Sequence, residues 1–393
     1  MRASKFARKF AIVGMGCTKV GRVPGYSGRT FQTEAARLAM EDAGLKRTDI
    51  DGAINAKLEA GGGSAGDWVD GFPRILGLPV NFYFHIGRGG APGSYALMAA
   101  LSFLERGIAN YVLIAYGGDT WTAGHVKKEE DTKPRPGAWG KSFGDLRAMS
   151  HHSFFACRHM YEYGTTSRQL GAIAVAERAW ACKNPEATMY GKPITIEDHQ
   201  NSPFYAWPYH LLDISLQSDG GSAFIVTTAE RAKYCKKPPV YLLGMGFGEH
   251  IREKWWNKTN YTALDIEPAK EKAFKQAGIT LKDIDVAQLY DCFTGEVLLQ
   301  IEGYGWAKKG EGGAFVETGA LGPGGSMPIN TGGGLLSSHH HQDLTPILEG
   351  IRQVRGEGGE RQVKDVNICM TTGHGGELLP GMSSTHTCII MGK

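Results

Sequence analysis

The stretches "AMEDAGLKRTDIDGA" (39–53) and "AFKQAGITLKDIDVA" (273–287) repeat one pattern within a single chain of 393 residues. In each stretch an amphipathic helix ends at a glycine, a short loop follows, and an apolar strand begins. The matching positions are Ala43, Gly44, Asp49, Ile50, Asp51 and Ala53 in the first and Ala277, Gly278, Asp283, Ile284, Asp285 and Ala287 in the second. This repetition predicts an internal duplication.

Further parallels extend the duplication to two halves, residues 1–235 and 236–393. Each half opens with an apolar strand, "KFAIVGMG" (9–16) in the first and "VYLLGMGF" (240–247) in the second. Strands and helices then alternate, which favours mostly parallel, buried sheets. Two such units packed together predict an α/β fold with α/β/α/β/α layers.

The first half carries an insertion at about 120–218. It contains a polar, proline-bearing stretch, "VKKEEDTKPRPGAWG" (126–140), and a run with helical spacing, "SRQLGAIAVAERAWACKNP" (167–185). We expect this inserted loop domain to cover the end of the sheets where ligands bind in such folds.

Composition excludes several classes of protein. The net charge is +3, which is too small to indicate a nucleic-acid or membrane partner. Seven cysteines without a CxxC pair indicate reduced thiols and no zinc ribbon within the chain. There is no secretory signal and no apolar run of about 20 residues. We therefore predict a cytoplasmic protein that binds neither nucleic acid nor membranes.

Two glycine-rich turns precede helices and are the strongest candidates for a site. The first lies in "FHIGRGGAPGSYALMAALSFLERG" (84–107), and the second in "PINTGGGLLSSHHHQ" (328–342). A helix N-terminus favours a thiolate or an oxyanion, because unpaired N–H groups point at it. The first turn has no nucleophile, but Gly89 and Gly90 would let a bulky substrate approach the backbone N–H groups.

Several motifs in order along the chain resemble those of the thiolase superfamily, in its sterol-carrier-protein-type branch. They are "GMGCTKVGR" (14–22), "LLDISLQSDGGSAFIVTT" (211–228), "VAQLYDCFTGEVLLQIEGYG" (286–305) and "TTGHGGE" (371–377). The resemblance implies a catalytic cysteine at about Gly90, where this chain has none. It also implies a functional His340 in the second turn and places His374 in the last glycine-rich turn.

Members of this branch that lack the cysteine resemble the acyl-CoA retro-aldolases of steroid side-chain degradation, which have "YDCF" where others have "HDCF". This chain has Tyr290 at that position. The resemblance implies cleavage of a β-hydroxyacyl-CoA to a ketone and a shorter acyl-CoA. No covalent intermediate would form, and the only cofactor would be the coenzyme A of the substrate. It also implies that Tyr290 is a principal catalytic group.

The catalytic roles have two open assignments. Either Tyr290 is the base and His340 its proton partner, or His340 is the base and Tyr290 a hydrogen-bond donor. His374 is a third catalytic candidate, and the candidates for substrate or oxyanion binding are Gly89, Gly90, Asn330 and Gly375. No metal is expected, since the adjacent His151 and His152 have no obvious third ligand.

Two other functions stay open at this point. The chain could be a thiolase or acyltransferase that uses Cys292 or Cys369, or a catalytically silent subunit that binds acyl-CoA. The resemblance also implies a homodimer, for which the apolar strand "NFYFHI" (81–86) is suited. It further implies a small partner protein made of an OB-fold and a zinc ribbon, giving a heterotetramer.

Overall fold

The computed structural model describes residues 4–57, 71–125, 148–250, 258–375 and 384–393. The predicted stretch 126–140 and the end of the last glycine-rich turn, 376–377, lie outside the described residues. Among the described residues, none of the helices combines the length and the apolar character that a membrane span needs.

The first half contains the elements that surround the first glycine-rich turn and the insertion. They are β1 Phe10–Cys17, α1 Gly28–Ala43, β2 Gly52–Ala56, α2 Phe72–Leu76, β3 Phe82–Ile86, α3 Pro92–Glu105, β4 Tyr111–Asp119, α4 Thr120–His125, α5 Ala148–Tyr163, α6 Ser167–Ala181, α7 Ile196–Asn201, β5 Phe204–Ala206, β6 Tyr209–His210, β7 Asp219–Thr228 and α8 Ala229–Ala232.

The second half contains fewer elements and no long insertion among the described residues. They are β8 Val240–His250, α9 Ile266–Ala277, β9 Val286–Gln288, α10 Thr294–Tyr304, α11 Gly312–Val316, α12 Leu344–Arg355, β10 Ile368–Gly375 and β11 Ser384–Gly392. A single π-helical turn, Gly334–Ser338, follows the second glycine-rich turn.

The main strands form one nine-stranded sheet in the order β3-β2-β4-β7-β1-β8-β11-β10-β9. The expectation of mostly parallel sheets is wrong. Only β2–β3, β2–β4 and β9–β10 pair in parallel, and the other five pairs are antiparallel. In each half the last strand, β7 or β11, inserts between two strands that run the opposite way, so alternation along the sequence does not give the strand directions.

Only two pairs of described residues join β1 to β8, so the strands of the first half and those of the second half form the two β layers of the predicted five-layer arrangement. Helices α3 and α12 lie in the middle, where Leu97 and Ile347 share one core with Ile114 of the first half and Ile389 of the second. Helix α1 packs on the outer face of the first-half strands, and α9 and α10 pack on the outer face of the second-half strands. This arrangement brings the helix-opening turns of α3 and α12 close together.

The duplicated stretches have the same structure in both halves. Gly44 and Gly278 end α1 and α9 in the left-handed conformation, each with φ 71°. Asp51 then accepts a hydrogen bond from the first N–H group of β4 at 2.9 Å, and Asp285 does the same for β10 at 2.8 Å. These equivalent contacts support a division between residues 235 and 236, which stays a prediction.

Candidate active site

A cavity of about 290 Å³ lies where the first glycine-rich turn meets the ends of the second-half strands. Its walls also include the start of α5 and the loop before β7. Six of the seven residues predicted for the site line it: Tyr290, His340, His374, Gly89, Gly90 and Gly375. Residues from distant parts of the sequence therefore meet in one place.

Tyr290 and His340 form a hydrogen-bonded pair in this cavity. Tyr290 Oη lies 3.2 Å from His340 Nε2, and Ser215 Oγ lies 3.2 Å from His340 Nδ1. Burial raises the pKa of Tyr290 well above its ordinary value and lowers the pKa of His340 to about 4. At neutral pH both groups are uncharged. In the tautomer that carries its hydrogen on Nδ1, with Ser215 Oγ as acceptor, His340 Nε2 accepts a hydrogen bond from the Tyr290 phenol.

Gly90 explains why the first turn carries no nucleophile. A Cβ at this position would lie 2.2 Å from Tyr290 Oη and 2.2 Å from the carbonyl oxygen of His374. Such contacts are far inside van der Waals distance, so position 90 cannot carry a side chain while Tyr290 keeps its place. The tyrosine hydroxyl occupies the space that a side chain at position 90 would need.

The N-terminus of α3 is already occupied by a carboxylate. Asp343 accepts hydrogen bonds at 2.7 Å from the N–H groups of Gly93 and Ser94, and at 2.6 Å from Ser94 Oγ. The N–H group of Ala91 donates to a backbone carbonyl in the same turn. These donors are therefore not available to a substrate, which narrows the expected oxyanion site to the glycines before them.

Gly375 lies beside the Gly90 N–H group and has no side chain to cover it. It adopts φ 146°, a conformation that favours glycine, and a Cβ there would lie 2.5 Å from Gly90 N. Any side chain at position 375 would therefore cover this donor. Both glycines line the cavity among the described residues, so a ligand oxygen in the cavity would approach the Gly90 N–H group.

Two more histidines line the cavity. His374, in β10, is fully buried, and its ring centroid lies 6.3 Å from that of His152 in α5. His152 Nδ1 is 2.5 Å from Glu296 Oε1 of α10. Sequence reasoning missed the pairing of His152 with Glu296, because nothing in the sequence around either residue links two positions that lie so far apart in the chain.

Asn330 is not brought to the cavity. It adopts a left-handed φ of 46°, accepts a hydrogen bond from the Leu289 N–H group at 2.7 Å and donates one to Glu177 Oε1 at 2.8 Å. Both ends of its amide are thus engaged. These contacts fix the second glycine-rich turn behind Tyr290, so Asn330 positions the backbone and does not face the cavity.

Burial and the charge of Asp291 raise the pKa of Glu177 well above its ordinary value. We interpret Glu177 as the protonated partner of this buried carboxyl pair. A Cβ at Gly334 would lie 2.1 Å from Asp291 Oδ2, which itself accepts hydrogen bonds from the N–H groups of Leu335 and Leu336. These contacts hold Asp291 in place, and with it the backbone next to Tyr290.

The described residues bring together two groups of possible metal-binding side chains, and neither forms a ready site. The thiol of Cys17, beside His339 and His341, also lies next to the Arg352 guanidinium, which opposes a cation. The second group is His152, Cys292 and Glu296. There the 2.5 Å hydrogen bond is shorter than the spacing of about 3.3 Å between ligands of a tetrahedral zinc ion.

Comparison with known proteins identifies the family. Residues 249–393 match the family model described as "Thiolase C-terminal domain-like". The chain is 32% identical to the "Steroid side-chain-cleaving aldolase" of Thermomonospora curvata, over 93% of this chain and 95% of that protein. It belongs to the thiolase superfamily. Within this superfamily it is also 32% identical to the "17-hydroxy-3-oxo-4-pregnene-20-carboxyl-CoA lyase" of Mycobacterium tuberculosis, over 93% of this chain and 96% of that protein.

Other members of the thiolase superfamily agree on the fold. The solved structure called "Ltp2-ChsH2(DUF35) aldolase" matches with a TM-score of 0.86 and 31% identity, over 99% of each chain. An "Acetyl-CoA acetyltransferase" of Methanothermobacter thermautotrophicus is 31% identical over 94% of this chain and 97% of that protein. The aldolase and lyase relatives confirm the predicted family and fold, and support the predicted class of carbon–carbon lyase.

Proposed function

We propose that this protein cleaves a bulky β-hydroxyacyl-CoA by a retro-aldol reaction, giving a ketone and a shorter acyl-CoA. The observation that carries the proposal is the place of Tyr290, whose hydroxyl excludes a side chain from position 90. Acyl transfer by the usual route of this superfamily needs a nucleophile there. A retro-aldol reaction needs only a proton acceptor and a site for the enolate. The names of the aldolase and lyase relatives suggest a steroid side chain as the acyl group.

In the proposed mechanism, Tyr290 takes the proton of the β-hydroxyl group as it passes its own proton to His340 Nε2. The bond between the α and β carbons breaks, the ketone forms, and the electron pair moves into the thioester as an enolate. In this mechanism Gly90 N–H donates to the enolate oxygen, an interaction worth roughly 3–4 kcal/mol per donor in oxyanion sites. The negative charge that develops on the enolate stabilises the new imidazolium of His340.

The protonation state of His340 gives a testable pH dependence. Because burial lowers its pKa to about 4, the imidazole stays neutral at pH 5, where an ordinary histidine with a pKa of about 6.5 would be protonated. We expect cleavage to persist at pH 5 and to fall as pH drops through about 4. Histidine ¹³C NMR titration, assigned by the signal lost in His340→Gln, measures this pKa directly. A value near 6.5 would contradict the expectation.

A second function has one observation in its favour. Cys292 Sγ lies within 4.8 Å of a ring nitrogen of His152 and of a carboxylate oxygen of Glu296. These three groups are the thiol, base and orienting carboxylate of a nucleophilic triad. Such a set could support acyl transfer through Cys292. By contrast, burial raises the pKa of Cys369 well above its ordinary value and that of Cys388 to about 12, so these thiols stay protonated.

Lyase assays combined with intact mass separate these functions. The protein, with any partner that co-purifies, is incubated with tertiary β-hydroxyacyl-CoAs and the products are identified by mass. We expect a ketone and a shorter acyl-CoA, and an unchanged protein mass after quenching. An acyl adduct that disappears in Cys292→Ser would support the acyltransferase. A protein that binds acyl-CoA with no turnover in the assembled complex would support a silent subunit.

We also propose that the chain forms a homodimer and binds a separate partner protein. Strand β3 is an edge strand of the described sheet. Its Phe82 stacks on Phe103 and its Phe84 is tilted against both rings, which makes an apolar edge suited to pairing. The solved aldolase relative is named for two components, Ltp2 and ChsH2(DUF35), which suggests a DUF35-type partner here. The mass of the purified assembly by light scattering, with and without the co-expressed partner, tests both proposals.

A further inference from the structure

A second buried acid–base pair lies in the cavity and has no role in the mechanism above. His152, on α5, is 2% exposed, and its Nδ1 is 2.5 Å from Oε1 of Glu296, which is fully buried in the first turn of α10. The other carboxylate oxygen, Oε2, has no hydrogen-bond partner among the described residues. His152 lines the same cavity as Tyr290 and His340.

The surroundings of Glu296 favour a proton on His152. A buried carboxylate is costly unless a hydrogen-bonded or charged partner compensates it, and His152 Nδ1 lies within hydrogen-bonding distance of Glu296 Oε1. The N-terminus of α10 further stabilises a negative charge in its first turn. A carboxylate can only accept, so Nδ1 carries a hydrogen and the ring orientation is fixed. The pair is thus arranged as a donor held in place by a carboxylate.

The reaction needs such a donor. After the carbon–carbon bond breaks, the β-hydroxyl proton resides on the Tyr290–His340 pair, while the α carbon of the enolate still lacks a hydrogen. We propose that His152, positioned by Glu296, is the acid that protonates this carbon. In the doubly protonated form of His152, with Nδ1–H held by Glu296, the Nε2–H bond breaks, the enolate electron pair forms the new C–H bond, and neutral His152 is left beside Glu296. After product release the Tyr290–His340 pair gives its extra proton to solvent, and His152 regains a proton from solvent.

This inference rests on the proposed function and assigns its second proton transfer. The two pairs enter the cavity from different elements: Tyr290 and His340 from the second-half turns, and His152 from the inserted helix α5. His374 lies between them, since its carbonyl faces Gly90 beside Tyr290 and its ring contacts that of His152. A substrate that reaches both pairs would have its β-hydroxyl near one and its α carbon near the other.

The same two helices carry a matched pair that serves as a control. His159 Nε2 lies 2.9 Å from Glu302 Oε2, and both side chains are buried. Glu302 is also bound by Lys309 and by the N–H groups of Gly310 and Gly312. This second pair does not line the cavity among the described residues, so it joins α5 to α10 without access to a substrate. A structural role for His152 would predict similar effects of mutation at both pairs.

Hydrogen exchange at the α carbon of a product analogue tests the proposal without knowledge of the ketone. The full chain, with any co-purifying partner, is incubated with propionyl-CoA in D₂O, and deuterium incorporation is followed by mass spectrometry. We expect exchange in the wild type, and a loss of roughly 10²-fold or more in His152→Gln. Glu296→Gln keeps an acceptor for the ring but removes the charge, so we expect a smaller loss.

The controls separate structure from chemistry. His159→Gln should leave exchange close to wild type even if it lowers the melting temperature. If a folded His152→Gln protein exchanged as fast as the wild type, the inference would be overturned. The proposed function would be unaffected, provided that the wild type still cleaved its substrate. Exchange that a chelator abolishes and zinc restores would overturn it in favour of a metal site. A wild type that exchanges but never cleaves would instead overturn the proposed function.

Discussion

We expect Tyr290→Phe to lower kcat/KM for cleavage by about 10²–10⁴, the usual contribution of a positioned proton-transfer group. The substitution removes only the hydroxyl that bonds His340 Nε2 at 3.2 Å and leaves the ring, which is 4% exposed, in its place. The carbon skeleton of the core is unchanged, so the fold should be kept. Steady-state kinetics on the cleaved substrate measure the loss, and the CoA-ester KM should change much less than kcat.

A matched tyrosine serves as the control. Tyr304 is 1% exposed and its hydroxyl bonds His386 Nε2 at 2.9 Å, so it is also a buried tyrosine paired with a histidine, but it does not line the cavity. Tyr304→Phe should cost about 1 kcal/mol of stability and leave kcat intact. If Tyr290→Phe behaved in the same way, Tyr290 would have to be assigned to the core.

His340→Gln should resemble Tyr290→Phe, because the two side chains act on one proton. Groups that work as a unit are not additive, so the double variant should lose little more than either single variant. Additive losses would mean that the two residues serve separate steps. The same cycle decides between the two assignments that the sequence leaves open, since only a relay requires both groups in the same transfer.

Local sequence features predicted the parts of the fold that depend on local contacts. Gly44 and Gly278 end their helices in the same conformation, and the aspartates that follow open the next strands in the same way. In each copy, a stretch of about fifteen residues contains the whole signal: the glycine that ends the helix, a loop of fixed length and the aspartate before the strand. The layers follow, because two copies must bury their apolar faces against each other.

The contacts that complete the candidate site were not predictable in this way. Asp343 reaches the N–H group of Gly93 across 250 residues of sequence, and His152 meets Glu296 across 144. No period or motif links positions so far apart. Asp343 in particular lies two residues past the triple histidine and reads as an ordinary helix-opening residue. The strand directions were mispredicted for the same reason, since pairing partners are set by the tertiary fold.

Asp343 also explains why the first glycine-rich turn does not suit a catalytic thiolate. In a turn that activates a thiol, the helix N-terminus stabilises the negative charge of the sulfur. Here a carboxylate already accepts the first N–H groups of α3 at 2.7 Å, and burial raises its pKa to about 6. A thiolate beside this carboxylate would be repelled. Restoring a cysteine at position 90 would therefore not restore acyl transfer, for electrostatic as well as steric reasons.

The steric part of this argument gives the second large effect, expected for Gly90→Ala. The backbone at position 90 is not in the left-handed region, so alanine is conformationally allowed and its only obstacle is space. Its Cβ would meet Tyr290 Oη and a backbone oxygen of β10, both at 2.2 Å. We expect a stability loss of about 1–3 kcal/mol from overpacking. We also expect an activity loss of roughly 10²-fold, because the hydroxyl must move by an ångström or more.

Gly322→Ala is the matched control, since a Cβ there meets nothing closer than 3.8 Å and the backbone is likewise unconstrained. It should leave stability and kcat near the wild-type values. A double-mutant cycle then isolates the contact: in a Tyr290→Ala background the added methyl group no longer meets the ring, so Gly90→Ala should cost less stability than in the wild type. An equal cost in both backgrounds, or full activity in the single variant, would show that Tyr290 does not fill the position of the missing nucleophile. The proposed lyase mechanism would then lose its structural basis.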